Sequence, residues 1–240
     1  MAEVVPVAFF VVKDYFRRVI MRLLADTANI KELEILKNKN LIEGVTTNPS
    51  IISKEGKDGI KILKAITELL PDMPVFGQVV GETVEDMVAD GKRINSAGDN
   101  MVVKIPANYH GVEAIARLSE LGIKTCATAI LTAAEAVLCA QAGATYVAPY
   151  TGQNDIIGYK GVDTLSQIST VYKKLNIDTK ILAASIEKSQ EIVDYFMAGA
   201  DCLTLPYHVF EDTFTSPNPL TEHYINNFKR DWMNAECFFE

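Results

Sequence analysis

A single α/β domain, a (β/α)8 barrel of the TIM type with an extra C-terminal helix, is the fold class the sequence predicts. Three observations carry it. From residue 23 onward, short apolar runs alternate with segments of helical period. The runs are uniformly apolar rather than alternating, as parallel strands buried on both faces are. Roughly eight such strand–helix units in about 200 residues is the small end of what a barrel of this type needs. A doubly wound sheet is the runner-up. It would place a glycine-rich turn after the first strand, and Leu23 to Thr27 has no glycine.

In chain order the predicted strands are Leu23–Ala25, Gly44–Thr46, Val75–Gln78, Val102–Ile105, Thr125–Ala129, Tyr146–Ala148, Ile181–Ala184 and Cys202–Leu205. Between them, Ile60 to Leu70 carries apolar residues at helical spacing and is stopped by Pro71. Thr83 to Ile94 follows, with Thr83 as N-cap and Glu85 close behind. Val112–Leu121 and Thr132–Ala142 end at Gly122 and Gly143, residues suited to a helix C-terminus. Val162–Leu175, Ser189–Ala198 (stopped by Gly199) and Pro219–Trp232 complete the set, and Ala28–Leu36 is a further candidate. Residues 21–240 are thus read as one barrel with its C-terminal helix. Residues 1–20 are read as an N-terminal extension, with Met21 as the biological start and an amphipathic arm packing on a neighbour as the alternative. Their apolar core is short, interrupted by Pro6, and lacks the basic start and small-residue cleavage site of a secretory signal.

Composition narrows the function classes. The 240 residues carry 48% hydrophobic and 22% charged residues, ordinary values for a globular chain. A net charge of −8 argues against nucleic acid as a partner and fits a cytoplasmic enzyme. No apolar run approaches the roughly 20 residues that span a bilayer, so no membrane partner is expected. Cys126, Cys139, Cys202 and Cys237 form no C-x-x-C pair, and the three histidines are scattered, so no metal and no cofactor are expected. The first three cysteines read as buried free thiols.

A barrel of this type places its active site at the C-terminal ends of the strands. There the sequence presents Asp26 and Thr27, then Thr46, Thr47, Asn48 and Pro49, then Gln78, Lys104, Thr128, Tyr150 and Ser185. Seven of the eight apolar runs finish in polar residues. Lys104 is the most informative, because it stands inside the apolar run Met101–Pro106. Desolvation disfavours the ammonium form of a buried lysine, and a neutral amine attacks ketones and aldehydes to form a Schiff base. The competing reading is a lysine whose stem lies on apolar surface while its head reaches water. Asp26 reads either as a carboxylate that orients substrate or as an N-cap for the next helix. Asn48 before Pro49 reads as a turn. Tyr150 is either a general acid–base or a packing residue. Ser185 has no histidine partner in the sequence pattern, which argues against a serine triad.

The runs Leu24-Ala-Asp26-Thr27, Gly44-Val-Thr-Thr-Asn-Pro-Ser-Ile-Ile52, Val102-Val-Lys104-Ile-Pro106, Tyr146-Val-Ala-Pro-Tyr150 and Leu182-Ala-Ala-Ser185 resemble, in order and spacing, the transaldolase family and in particular its short fructose-6-phosphate aldolase branch. The resemblance covers Met21 to about Trp232. It implies metal-independent chemistry with Lys104 as the Schiff-base lysine. It places Asp26, Asn48 and Ser185 on the dihydroxyacetone unit and Thr46 near the reacting carbon. It assigns Gln78, Thr128 and Tyr150 to proton transfer, partly through a bound water. Gln78 and Tyr150 match the aldolase branch, whereas transaldolases carry Glu and Phe there. The family's phosphate-gripping arginine after the sixth strand is replaced by Gln153, and the arginine that often follows the seventh-strand serine is absent from Ile186-Glu187-Lys188. Lys188 or a helix start is then the candidate anion holder. The expected partner is a small sugar bearing phosphate or sulfonate, with an unphosphorylated aldehyde also open. The outcome is ketose cleavage or synthesis. The alternatives are transfer of dihydroxyacetone between sugar phosphates or from a sulfonated sugar such as sulfofructose, or a non-catalytic sugar-phosphate-binding barrel. The resemblance also implies a homo-oligomer, a pentamer or decamer.

Overall fold

The computed structural model describes residues 22–156, 158, 160–215 and 219–235. The readings of residues 1–20 and Cys237 lie outside the described residues. Eight parallel strands close into a barrel in sequence order. They are β1 (Arg22–Asp26), β2 (Val45–Thr46), β3 (Val75–Gln78), β4 (Met101–Pro106), β5 (Thr125–Ile130), β6 (Tyr146–Pro149), β7 (Lys180–Ala183) and β8 (Cys202–Leu205). β1 pairs with β8 through Arg22–Cys202 to Ala25–Leu205, which closes the ring. Each predicted strand is present to within a residue or two.

The helices are α1 (Ile30–Asn38), α2 (Pro49–Glu55), α3 (Gly59–Leu69), α4 (Val84–Asn95), α5 (Tyr109–Glu120), α6 (Ala133–Gln141), α7 (Thr151–Ile156), α8 (Gly161–Leu175), α9 (Ser189–Met197), α10 (Tyr207–Thr215) and α11 (Pro219–Asn234). Side-chain caps begin several of them. Thr83 accepts from the Asp86 N–H at the start of α4, and Thr132 and Glu135 form a reciprocal capping box at α6. Gly122, Gly143 and Gly199 follow α5, α6 and α9 with φ of 74°, 93° and 103°, the left-handed exit for which a residue without Cβ is suited. The short helices α2, α7 and α10 were not in the sequence expectation.

Strand parity sorts the interior into two cores. Ala25, Val45, Val75, Val103, Ile105, Val147, Ile181 and Leu203 point outward and pack with Leu33, Ile66, Leu118, Leu165 and Ile168 of the surrounding helices. Leu24, Phe76, Val102, Cys126, Ala148, Leu182 and Cys202 point inward and plug the barrel, with Tyr146 set edge-on to Phe76 at 5.0 Å. One step of two residues along the same strands brings Asp26, Gln78, Lys104, Thr128, Tyr150 and Thr204 above that plug. The apolar layer is therefore the floor on which a polar layer stands.

α11 buries none of its residues in the single chain. Leu220, Tyr224, Phe228 and Trp232 recur every four residues along it and are exposed.

Candidate active site

Lys104 is 5% exposed, inside the barrel on β4. Its Nζ donates to the backbone carbonyl of Thr47 at 3.0 Å. That carbonyl is available because β2 ends at Thr46. Among the described residues no ion pair involves Lys104, so its amine rests on a neutral acceptor.

Asp26 ends β1 in register with Thr46. Thr46 Oγ1 donates to Asp26 Oδ1 at 2.6 Å and lies 2.6 Å from Thr204 Oγ1. A threonine hydroxyl has one proton, and Thr46 gives its proton to the carboxylate. Thr204 therefore donates to Thr46, and the chain Thr204–Thr46–Asp26 runs in one direction across three strands. Burial pushes the Asp26 pKa above the usual carboxylate value, opposed by the charge of Lys104 and by the Thr46 hydrogen bond. Asp26 does not cap α1. Asn29 does, accepting from the N–H groups of Lys31 and Glu32.

Gln78 pairs in register with Lys104 across β3 and β4. Its Oε1 is buried and finds no partner among the described residues, an acceptor open to a substrate hydroxyl or a water. Across the site, Thr128 Oγ1 donates to the Tyr150 hydroxyl at 3.3 Å, which leaves the phenolic proton free to point elsewhere. Thr128 is set by a β-bulge before Ile130, where Ala129 takes φ of 59°. Ser185, two residues beyond β7, takes φ of 65°. Of the four non-glycine residues in the left-handed region among those described, two are asparagines and the other two flank this site. Asn48 uses its Oδ1 to cap α2, accepting from the Ile51 N–H at 2.9 Å, so its amide nitrogen is what remains for a ligand. Cys126, beside Lys104 on the next strand, is inert as a nucleophile, since burial pushes its thiol up to about 12.

A family description reading "Transaldolase/Fructose-6-phosphate aldolase" matches residues 23–238. The chain belongs to that family. It is 42% identical over 214 residues to a "Probable transaldolase" of Agathobacter rectalis, covering 88% of this chain and 97% of the relative. It is 39% identical to "Probable transaldolase 1" of Listeria monocytogenes serotype 4b, covering 90% of this chain and all of the relative. A solved structure described as "Native KDPGal structure" superposes with a TM-score of 0.55 at 14% identity, covering 78% of this chain and 82% of that one, and shares the fold. The chain's activity is accordingly of the aldolase and transaldolase type.

The rim of this transaldolase-family barrel differs in character from its floor. Gln153 is exposed in the first turn of α7, and Lys188 is exposed just before α9. Neither reaches the Lys104 layer through a hydrogen bond or ion pair among the described residues. A cavity of about 320 Å3 opens at the mouth between Asp26, Glu32, Lys54, Glu55, Tyr207 and His208. His208 Nε2 lies 4.0 Å from Glu187 Oε2, which joins the loop after β7 to the start of α10. Among the described residues, no helix is long and apolar enough to cross a membrane, and no group of three or more histidine, cysteine, aspartate or glutamate side chains is placed to hold a metal ion.

Thr204, Glu187 and His208 were missed in the sequence. Thr204 was hidden in the apolar run Cys202–Leu205, yet it follows inward-facing Cys202 by two residues, and that spacing is the signal that finds it.

Proposed function

We propose that the protein is a class I aldolase that cleaves or forms a ketose, such as fructose 6-phosphate, through a dihydroxyacetone enamine on Lys104. The observation that carries this reading is a lysine buried at the barrel centre, the one buried lysine among the described residues, resting on a carbonyl, with Asp26, Gln78 and the Thr128–Tyr150 pair around it. Lys104 adds to the ketose carbonyl, and loss of water gives the imine. Tyr150, with Gln78 and Thr128 holding a water, takes the proton of the C4 hydroxyl. The C3–C4 bond breaks, its electrons move into the enamine, and an aldehyde leaves. Protonation of the enamine carbon by Tyr150 and hydrolysis of the imine then release dihydroxyacetone and restore Lys104. Asp26, Asn48 and Ser185 hold the hydroxyls of the retained three-carbon unit, with Thr46 near the reacting carbon. Holding both fragments in one site supplies much of the rate through orientation.

The names of the relatives favour a second reading, transaldolase, in which the enamine waits for an acceptor aldehyde instead of a proton. Gln78 and Tyr150 favour the aldolase outcome, because a phenol can deliver the proton that glutamine cannot. Incubation with dihydroxyacetone and borohydride, followed by peptide mass spectrometry, tests what both readings share. A reduced adduct on Lys104 is expected. Absence of any adduct with dihydroxyacetone and with fructose 6-phosphate favours a barrel that binds without turnover. Product analysis with and without an acceptor aldehyde then separates aldolase from transaldolase.

The exposed apolar stripe of α11 supports a homo-oligomer in which this helix packs on a neighbouring subunit. Light scattering on the purified chain is expected to give a multiple of 26.4 kDa.

A further inference from the structure

Beyond Tyr150 a substrate chain meets the rim formed by the first turn of α7 and the loop from Ser185 to α9. These two segments touch through backbone. A Cβ on Gly152 would stand 2.2 Å from the Ser185 carbonyl oxygen, so only glycine allows the approach. The contact brings Gln153 and Glu187 to one edge of the mouth.

A phosphate or sulfonate tail needs cations or free N–H groups there, and three features oppose it. Gln153 offers neutral hydrogen bonds only. The backbone leading into α9 already holds a carboxylate, because Glu191 accepts from the backbone N–H of Glu187 at 2.8 Å and of Lys188 at 3.0 Å. An incoming anion at this helix start would meet the charge of a carboxylate that the chain itself supplies. Glu187 adds an exposed negative charge beside His208, and the adjoining cavity sets Asp26, Glu32 and Glu55 against Lys54. The nearby cations Lys188 and Lys160 are exposed, and Lys188 sits between Glu187 and Glu191 in sequence.

We infer that, among the ketoses the proposed function allows, this chain favours one without the tail phosphate of fructose 6-phosphate: the aldehyde partner is an uncharged short hydroxyaldehyde, taken in preference to its phosphorylated counterpart. This rests on the Schiff-base reading of Lys104. In the forming direction the enamine carbon attacks the aldehyde carbon, and the aldehyde oxygen takes a proton from Tyr150 to become the C4 hydroxyl. Water then hydrolyses the imine, so dihydroxyacetone and the aldehyde give the ketose with no other reactant consumed.

The test uses the full chain with dihydroxyacetone as donor and compares D-glyceraldehyde with D-glyceraldehyde 3-phosphate at low ionic strength, with borohydride trapping in parallel. We expect kcat/KM to be about tenfold or more higher for the uncharged aldehyde, as like-charge repulsion at the mouth predicts. Glu187→Arg should raise kcat/KM for the phosphate by about tenfold, a gain that fades as added salt screens it. Equal or better use of the phosphate by a protein that labels at Lys104 overturns the inference alone. If Lys188→Ala or Lys160→Ala abolishes such a preference, that lysine is the tail cation instead. Absence of any Lys104 adduct overturns the Schiff-base reading and the inference together.

Discussion

On the floor of the barrel mouth, Lys104, Asp26, Thr46, Thr128 and Thr204 stand on strands, and each is held by a hydrogen bond to another strand of the barrel or its continuation. On the rim, Gln153, Glu187, Lys188 and His208 stand at helix starts and in loops and face solvent. Moving a floor residue means shifting a strand whose outward face is locked into the helical shell, and a tightly packed core resists that. Changing a rim residue disturbs little else. On the proposed reading, the floor is therefore where chemistry is fixed, and the rim is where substrate choice is free to vary.

Substitutions that break the floor should have the largest effects. Lys104→Met should remove borohydride trapping and lower turnover by about 10^4-fold or more, as expected when a covalent nucleophile is lost. Retained trapping at another lysine would show that the floor does not fix the nucleophile. Tyr150→Phe should lower ketose cleavage by about 100-fold while sparing dihydroxyacetone transfer, within the range for loss of a general acid–base group. Cleavage at the native rate would remove Tyr150 from proton transfer.

Thr204→Val keeps the shape of the side chain but removes the donor to Thr46. It should lower kcat by about tenfold and move the acid limb of the pH–rate profile, since the chain that orients Asp26 loses its first hydrogen bond. Thr204→Ser should restore both. An unshifted profile would make Thr204 a packing residue.

The smallest effect is one of stability. A carboxylate whose folded pKa is raised favours the folded state only in its protonated form. That contribution is present at low pH and is lost as pH rises through the folded value. Asp26→Asn should therefore raise Tm at neutral pH while lowering activity, and the difference in Tm should shrink on acidification. A lower Tm at neutral pH would mean that Asp26 is held there by favourable pairing.

The floor was legible in the sequence for a physical reason. Strands buried on both faces leave short apolar runs, so a lysine inside Met101–Pro106 and an aspartate after Leu24-Ala25 stand out against them. Asp26 was nevertheless open to reading as a cap. The deciding hydrogen bond comes from Thr46, a residue 20 positions away, and no local pattern carries that information. Asn48 looked like a turn because its cap begins a helix of only seven residues, too short to show a period. The rim was hardest to read. α7 and α10 start within a residue or two of strand ends, and the contact between Glu187 and His208 joins a loop to a helix start whose proximity only barrel closure sets.

The two-residue length of β2 has an evolutionary consequence. The group that receives the Lys104 amine is a main-chain carbonyl, released from the ladder because the strand stops there. Every amino acid at position 47 would present the same oxygen. Drift in side chains can rewrite what this barrel accepts, but no single codon change at position 47 deletes the berth of its central amine, and on the proposed Schiff-base reading a lineage that abandons that chemistry must do so by altering the lysine itself or the path of the backbone.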